Sequence, residues 1–398
     1  MNLCNVTLIG VFFFVFQISL AAATKFVDCS KGQNLNATVQ TSSPGDIVTF
    51  TGTCNQNVTI LVSGISLTGQ NGATISSPSP SSDALVIAGA QQVTIQSLTV
   101  QNGAFGVHAT GGASVTMKSI TAQSNAQTGI LIEGSSSAYI SSCSSANNLN
   151  GMDVENTSSV IFNGNFSAER NFVFGINLGA TSSATVNAAT VSASRNTLGI
   201  QISLSSSWFF SNPAATVQAN NNATVGLTVV SGAHLFAFGG TLVTSGNGLD
   251  GLDIASRSGM DMDAGSQASS FNNQRDGLHV EELSMVNFFN NPQFSQNPGF
   301  TTIQLYNNAG NGVSLLNNSQ LHMFDQAKVL AHNNTGLGIQ VDDGSSLTLI
   351  NSTIQNNPTD IFLTFASRGD FTANTIGKLS CDATSLIRGI PGKACPLP

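Results

Sequence analysis

Residues 338–357 read GIQVDDGSSLTLINSTIQNN, and this stretch contains the structural unit from which the chain is built. Apolar and polar residues alternate in three short segments, at 339–341, 347–349 and 352–355. Alternation of this kind is typical of β-strands, whereas a helix would repeat its apolar residues at intervals of about 3.6. Serine, glycine and asparagine separate the segments and favour turns. The stretch therefore predicts three short strands joined by tight corners.

The same unit recurs along most of the chain. Each copy has a glycine followed by an aliphatic residue, and an asparagine usually lies a few positions earlier. The glycines are Gly106, Gly129, Gly151, Gly175, Gly199, Gly226, Gly251, Gly277, Gly312 and Gly338. The asparagines are Asn102, Asn125, Asn147, Asn171, Asn196, Asn221, Asn247, Asn273, Asn311, Asn334 and Asn357. A repeat of roughly 25 residues with strand-like segments predicts a solenoid that has one supersecondary unit per turn.

Stacking explains why such a repeat can fold. One coil cannot bury its own inward Val, Ile and Leu side chains, but coils that lie about 4.8 Å apart pair each strand with the coils above and below. Equivalent residues then lie over one another, so we expect the repeated asparagines to form a ladder of side-chain amides. We expect the repeated glycine to occupy a corner that needs an unusual backbone angle.

The two ends of the chain depart from the repeat. The predicted mature domain is 24–398, with an N-terminal cap at 24–60 and a C-terminal end at 375–398. Caps are needed because the outermost coils would otherwise expose unpaired strand edges. Cysteines bracket each end, and we predict disulfides between Cys29 and Cys54 and between Cys381 and Cys395. Cys143 lies inside a repeat and is predicted to be a buried apolar residue.

The N-terminal residues predict export. Residues 1–23 contain no charged side chain, include an apolar run from Val6 to Leu20, and end in Ala21-Ala22-Ala23. These features are typical of a secretory signal peptide, with Thr24 as the first residue of the mature protein. The alternative is an uncleaved anchor, because the apolar run nears the length that spans a bilayer. No other stretch has that length, so we expect a secreted protein, extracellular or in the cell envelope.

Composition narrows the classes of partner. Only 8% of the residues are charged, 41% are hydrophobic and the formal net charge is -8, which together exclude a disordered chain. The 12 lysines and arginines are scattered and form no basic run, so we expect no nucleic-acid partner. The mild acidity weakens the case for a strongly anionic polymer as substrate without excluding it.

The repeat and the N-terminal residues resemble a known superfamily. The Gly-Ile repeat with asparagine corners is similar to the right-handed parallel β-helix proteins of the pectate-lyase-like superfamily. So are the segments Val27-Asp28-Cys29, Pro44-Gly45-Asp46, Gly52-Thr53-Cys54 and Leu67-Thr68-Gly69. The resemblance implies an all-β fold, a single-stranded right-handed parallel β-helix of ten to twelve coils with capped ends. It implies no single activity, because the superfamily includes lyases, hydrolases, epimerases, phage tailspikes and non-catalytic surface proteins.

No catalytic residue carries over from the enzyme families of that superfamily. Polygalacturonase-like enzymes have Asn-Thr-Asp, Asp-Asp, Gly-His-Gly and Arg-Ile-Lys elements. Here residues 357–360 read NPTD, Asp342-Asp343 stands alone, and the last two elements do not occur. The Asp-Pro-His-Asp element of alginate epimerases does not occur either. Candidate residues must therefore come from the geometry of the repeat.

Side chains alternate between the two faces of a strand, so outward positions can be counted from the repeated glycine. The residues two after the glycine are predicted to point outward: His108, Leu131, Asp153, Asn177, Gln201, Thr228, Asp253, His279, Ser314 and Gln340. The residues four after it, which include Glu133, Glu155 and Glu281, share that face. Two clusters of acidic residues stand out at these positions.

The first acidic cluster consists of Glu133, Asp153 and Glu155. Glu133 and Glu155 have the same register in adjacent coils, and stacked carboxylates repel unless a cation joins them. Calcium, which prefers oxygen ligands, is the candidate metal and the only cofactor that the sequence suggests. The alternative is a solvated acidic face with no ligand.

The second acidic cluster consists of Asp250, Asp253, Asp276, His279 and Glu281. Paired acids can hydrolyse a glycosidic bond, and a histidine among them can remove a proton in lyase or epimerase chemistry, so these five are the candidate catalytic residues. Arg257 and Arg275 are close in sequence and are candidate substrate ligands. Trp208 is a third, because aromatic rings stack on sugars. The alternative is that the Asp-Gly pairs are ordinary turns.

These observations leave two functions open. The chain is either a polysaccharide-modifying enzyme of lyase, epimerase or hydrolase type, or a non-catalytic structural or adhesive protein. In both cases the long side of the solenoid is the expected binding surface, and a polysaccharide or cell-surface glycan is the expected partner.

Overall fold

The computed structural model describes residues 22–290, 300–390 and 395. The predicted signal peptide lies outside the described residues, apart from Ala22 and Ala23. The described chain is a right-handed parallel β-solenoid of about 14 turns, slightly more than the ten to twelve that the repeat predicts. Within the described residues, no helix is long and apolar enough to cross a membrane.

Two sheets run along the solenoid, and the described strands in each pair in parallel with those of the neighbouring coils. The 14-stranded sheet consists of Val58–Ile60, Leu85–Ala88, Val107–Thr110, Thr128–Ile132, Asn150–Val154, Phe174–Leu178, Leu198–Ile202, Leu227–Val229, Leu252–Ile254, Leu278–Val280, Val313–Leu315, Ile339–Val341, Ile361–Leu363 and Leu379–Cys381.

The 26-stranded sheet wraps around the other sides of the coils. It consists of Thr24–Asp28, Ile47–Asn55, Ser66–Ser76, Val93–Gln101, Ser114–Gln123, Ser137–Ser141, Cys143–Ala146, Ser159–Phe162, Phe166–Glu169, Ser183–Val186, Thr190–Ser194, Ser207–Phe210, Thr216–Asn220, His234–Phe238, Thr241–Ser245, Gly259–Asp263, Gln267–Phe271, Met285–Phe288, Thr302–Tyr306, Gln320–Met323, Lys328–His332, Ser346–Ile350, Thr353–Gln355, Arg368–Thr372, Thr375–Ile376 and Leu386–Arg388.

A central coil shows the three-strand pattern that the sequence predicts. Asn150–Val154 belongs to the 14-stranded sheet, and Ser159–Phe162 and Phe166–Glu169 belong to the other. Alternate residues of each strand point into the solenoid, where Val160, Phe162 and their equivalents form one continuous apolar core. The residues between them, such as Ser159 and Ile161, lie on the opposite, partly exposed face.

The predicted asparagine ladder is present and buried. In each step the Nδ2 atom of one asparagine donates to Oδ1 of the next, at 2.9 to 3.4 Å. The members are Asn125, Asn148, Asn171, Asn196, Asn222, Asn247, Asn273, Asn308, Asn334 and Asn357. At the far end, the amide of Asn357 donates to Asp360 Oδ1 at 3.0 Å. The ladder therefore ties ten coils together inside the protein.

Four asparagines expected in the ladder are not part of it. Asn147 and Asn221 precede the true members, Asn148 and Asn222, and adopt the left-handed conformation at a corner. Asn102 also has a positive φ, and its amide donates to Ser76 Oγ. Asn311 lies three residues after the ladder member and donates to Ser314. Where two asparagines are adjacent, the first adopts the left-handed conformation that turns the chain, and the side chain of the second bonds to the next coil.

The reason predicted for the repeated glycine was wrong. None of the ten glycines has a positive φ. A Cβ atom at any of them would instead lie 2.6 to 2.9 Å from the Nδ2 atom of a ladder asparagine. The glycine is needed because the ladder passes too close for any side chain, and its backbone conformation is ordinary.

Both predicted disulfides are present. Cys29–Cys54 lies at the N-terminal end and Cys381–Cys395 at the C-terminal end. A short α-helix, Leu35–Gln40, follows the 3-10 helix Cys29–Lys31 and buries Leu35 and Val39 against the core. The helix therefore shields the apolar interior at the N-terminal end. Cys143 is a free, buried thiol, as expected.

Candidate active site

The predicted outward row of the 14-stranded sheet is confirmed position by position. Strand pairing places the row residues over one another in the order Val86, His108, Leu131, Asp153, Asn177, Gln201, Thr228, Asp253, His279, Ser314, Gln340 and Phe362. Residues about two dozen apart in sequence are thus direct neighbours. We call this set the outward row.

Part of the outward row is recessed, and some of its residues have a polar partner in or just before the same strand. The side chain three residues earlier contacts the row residue in three coils: Asn150 with Asp153, Asp276 with His279, and Asn311 with Ser314. Asp276 and Asn311 lie just before their strands and contact the second strand residue, whereas Asn150 is the first residue of Asn150–Val154. The row residues are consequently held in fixed orientations by hydrogen bonds.

Asp276 and His279 form the centre of the second acidic cluster. Nδ1 of His279 lies 3.2 Å from Asp276 Oδ2, and that oxygen also accepts from Ser314 Oγ at 2.7 Å. The other oxygen accepts from the backbone N–H of Asn311 at 2.7 Å. Burial alone would raise the pKa of Asp276, but the bonds from His279, Ser314 and Asn311 outweigh it and lower the pKa. Asp276 is therefore held as a carboxylate.

The pKa of His279 shifts in the opposite direction to that of Asp276. Burial alone would lower the pKa of the imidazole, but the bond to Asp276 and the charges of Asp250 and Asp276 raise it. Its second nitrogen, Nε2, lies 3.5 Å from Glu281 Oε2. His279 is only 7% exposed, so the ring is fixed between two carboxylates.

Asp253 stands beside His279 on the adjacent strand. Its Oδ2 atom accepts from Thr228 Oγ1 at 3.2 Å. Burial raises the pKa of Asp253, the charge of His279 opposes this, and the neighbouring carboxylates Asp250 and Glu281 add to it. Asp253 and His279 on two neighbouring strands, with Glu281 just after the second strand, thus form a compact group on the outer surface.

Asp250 and Arg275 form an ion pair at the edge of this group. Nε of Arg275 donates to Asp250 Oδ1 at 2.7 Å, and a second guanidinium nitrogen contacts Oδ2. The backbone N–H of Asp276 donates to Asp250 Oδ1 at 3.0 Å. Burial raises the pKa of Asp250, and the bonds from Arg275 and Asp276 work against that rise. Asp250 is therefore paired with Arg275, and it supports the turn that carries Asp276.

Two groups of three side chains in the described residues are close enough to hold a metal ion. They are Asp250, Asp276 and His279, and Asp253, His279 and Glu281, with ligand atoms within 4.8 Å of one another. The predicted calcium ligands Glu133, Asp153 and Glu155 do not form such a group among the described residues. The calcium site stays a prediction.

The first acidic cluster does lie on the outward face. Burial raises the pKa of Asp153, against the hydrogen bonds of Thr128 and Asn150. Burial, Asp153 and Glu133 raise the pKa of Glu155. Burial is thus the main cause of both shifts, and like charges on the same face add to it only at Glu155.

Sequence reasoning missed two residues of this first cluster. His108 Nδ1 lies 2.8 Å from Asp83 Oδ2, and its Nε2 lies 2.9 Å from Glu133 Oε1. The position of His108 in the outward row was a usable signal. Asp83 precedes a strand whose coil lacks the repeated glycine, so counting from that glycine could not find it.

Two predicted substrate ligands do not reach the site. Trp208 is fully buried in the core, where its ring lies 6.0 Å from that of Phe162. It occupies an inward position of Ser207–Phe210, so its assignment to sugar binding was wrong. Arg257 is exposed in the turn after Leu252–Ile254, and its backbone N–H donates to Glu282 O, outside the acidic group. Of the three, only Arg275 contacts the cluster.

Comparison with known proteins supports the fold. Residues 63–235 match the family model described as right handed beta helix region. The predicted resemblance is confirmed at the level of the fold, and the chain is a right-handed parallel β-helix. No curated protein sequence matches the chain.

Several solved structures are similar to this chain. The Azotobacter vinelandii mannuronan C-5 epimerase AlgE6 A-module is 13% identical, with a TM-score of 0.46, over 89% of this chain and 93% of that one. PfbA, a surface adhesin of Streptococcus pneumoniae, is 12% identical, with a TM-score of 0.43, over 89% and 87%. A Yersinia enterocolitica family 28 exopolygalacturonase is 10% identical, with a TM-score of 0.33, over 95% and 80%.

Proposed function

We propose that the protein is a secreted β-helix protein that binds a polysaccharide along the outward face of the 14-stranded sheet and modifies it at Asp253, His279 and Glu281. The observation that carries this proposal is the convergence of these three side chains on two adjacent strands, with His279 oriented by Asp276. An extended face built from equivalent positions of successive coils suits an extended chain.

The geometry favours acid–base chemistry on a glycosidic bond. Ligand oxygens of Asp253 and Glu281 lie within 4.8 Å of each other. Retaining glycosidases place their two carboxyl groups about 5 Å apart, whereas inverting enzymes need roughly 6.5 to 9.5 Å for a water molecule. One carboxyl group would donate a proton to the leaving oxygen, and the other would attack or stabilise the sugar. Asp276 acts through His279, which it orients.

The charge of the face favours an uncharged glycan over a polyuronate. Acidic side chains recur on or beside the outward row: Asp83, Glu133, Asp153, Glu155, Asp253, Asp276, Glu281 and Asp342. Arg275, the guanidinium at the cluster, is paired with Asp250. A polyanion would therefore meet repulsion at both acidic clusters.

Two features support an extracellular location. Both ends of the solenoid are closed by disulfides, which persist mainly in oxidising compartments. The N-terminal sequence has the features of a secretory signal peptide.

A non-catalytic, adhesive role is the second candidate. It is favoured by the engagement of Asp250 and Asp276 with backbone N–H groups, since these two side chains hold turns together whether or not a glycan is turned over.

A glycan panel separates the two functions. Purified protein in EDTA is incubated with neutral polysaccharides and polyuronates, and the products are measured by anion-exchange chromatography. We expect depolymerisation of a neutral glycan, reduced by about 100-fold or more in Asp253→Asn and Glu281→Gln. Asp261→Asn, on the outer face of the other sheet, is the matched control and should retain full activity.

Two outcomes would count against the proposal. Glycan binding without products in any sample would favour the adhesive role. Activity that survives both Asp253→Asn and Glu281→Gln would place the chemistry elsewhere.

A further inference from the structure

We propose that Asp253, His279 and Glu281 form a binding site for a divalent first-row transition metal, with Zn²⁺ as the test ion. The ligands would be Nε2 of His279 and one carboxylate oxygen from each acid. Nothing else described on this face combines an imidazole nitrogen that lacks a hydrogen bond with two carboxylates so close by.

The distances suit a metal. One nitrogen of His279 and one oxygen of each acid lie within 4.8 Å of one another, and Nε2 of His279 lies 3.5 Å from Glu281 Oε2. Zinc bonds of about 2.0 to 2.1 Å at tetrahedral angles separate two ligands by roughly 3.3 Å. The His279–Glu281 pair is therefore close to this separation, and Asp253 needs a modest side-chain movement.

The orientation of His279 is the second and independent observation. Its Nδ1 is bonded to Asp276, and Asp276 is fixed in turn by Ser314 and Asn311. A carboxylate behind a histidine is the usual outer support of a metal ligand, because it fixes the ring and its tautomer. Nε2 of His279 then lies on the side of Asp253 and Glu281. The ring is 7% exposed, and its Nε2 has no hydrogen bond within the described residues.

The overlapping group, Asp250, Asp276 and His279, is a poorer candidate. Both oxygens of Asp250 contact the Arg275 guanidinium, whose charge would repel a cation. Both oxygens of Asp276 accept hydrogen bonds from neighbouring groups. Asp253, by contrast, accepts only from Thr228, at 3.2 Å, within the described residues. The available lone pairs therefore lie on the Asp253 and Glu281 side of the ring.

The ligand set selects the type of metal. One imidazole nitrogen with two carboxylates suits zinc and its first-row neighbours, whereas calcium prefers oxygen ligands alone. A dication bound here would occupy the carboxylates that the proposed acid–base chemistry needs, so metal binding is inferred independently of the proposed function.

Calorimetry tests the site. Untagged protein freed of metal with EDTA and then desalted is titrated with ZnCl₂ without any glycan. We expect one site per chain. Asp253→Asn and Glu281→Gln should each weaken binding by at least about 10-fold, and Asp276→Asn by about 10- to 100-fold. Co²⁺ should give a visible absorption band that disappears in His279→Gln, and circular dichroism should show that each variant is folded.

The matched control is His108→Gln. His108 lies in the same outward row, but both of its nitrogens already contact carboxylates, so its loss should leave zinc binding unchanged. No zinc binding by the parent, or binding that Asp253→Asn and Glu281→Gln leave intact, would overturn the inference. Zinc binding without glycan turnover would support it and contradict the proposed enzyme, and turnover in EDTA without zinc binding would do the reverse.

Discussion

At the scale of single residues, two positions in each coil determine whether coils can stack. The ladder asparagine bonds to the coils on either side of it, and the repeated glycine makes room for that ladder. A buried amide that loses a partner costs about 1 to 3 kcal/mol, so a gap in the ladder would destabilise the stack. The asparagine and the glycine therefore recur in the sequence because each coil needs both of them to pack on the next.

Gly199→Ala tests the packing explanation. Its Cβ would lie 2.6 Å from Asn222 Nδ2 and closer still to the carbonyl oxygen of Gly226. We expect a loss of at least about 2 kcal/mol in the free energy of unfolding, measured by urea denaturation. Gly179→Ala in the preceding coil is the control, because its Cβ would meet only Ser203 Oγ at 3.5 Å. Equal stability of the two variants would refute the steric explanation.

The sequence predicted the ladder and the glycine but not the details of either. Where two asparagines are adjacent, as at Asn147-Asn148, composition cannot tell which one turns the chain and which one bonds to the next coil. A glycine that avoids a side chain from the next coil looks the same in sequence as one that adopts a positive φ. Both distinctions depend on contacts between coils.

At the scale of elements, the C-terminal end is held by one carboxylate as well as by a disulfide. Asp382 accepts from the backbone N–H of Phe365 at 2.8 Å, and it also bonds to Thr384 and Ser385. These bonds, led by that from Phe365, lower the pKa of Asp382 to about 2. The ionised side chain therefore joins the last strands to the turn before them.

Asp382→Asn tests this role through pH. The pKa of Asp382 is lower in the folded protein than its ordinary value of 3.8, so its stabilisation is present above pH 3.8 and is lost as the pH falls towards 2. We expect the variant to melt below the parent at pH 7, and the difference in Tm to shrink between pH 4 and pH 2. Asp325→Asn, on an exposed turn, should match the parent throughout. A difference that does not depend on pH would contradict this account.

Strand elements were predicted well where apolar and polar residues alternate and poorly where they do not. Counting from the glycine gave every member of the outward row from His108 to Gln340. The segment Trp208-Phe209-Phe210 is apolar throughout, so it carries no signal for which residues face inward. In the structure Trp208 and Phe210 face the core and Phe209 stacks on Phe236 at 4.9 Å.

At the scale of the whole molecule, the stacking of coils brings acidic residues that are far apart in the sequence onto one face of the solenoid. Asp253 and His279 become neighbours only because their strands pair in register. The candidate site could therefore be predicted as a group from the repeat. The hydrogen bonds from Ser314 and Asn311 to Asp276 could not, because they depend on how the turn side chains fold over the sheet.

The most direct measurement is a crystal structure of Glu281→Gln with a neutral oligosaccharide. We predict that the sugar chain lies on the outward face of the 14-stranded sheet, crosses successive strands along the solenoid axis, and contacts His279 and Asp253. A sugar chain bound instead on the 26-stranded sheet, for example beside the stacked rings of Phe209 and Phe236, would contradict the account.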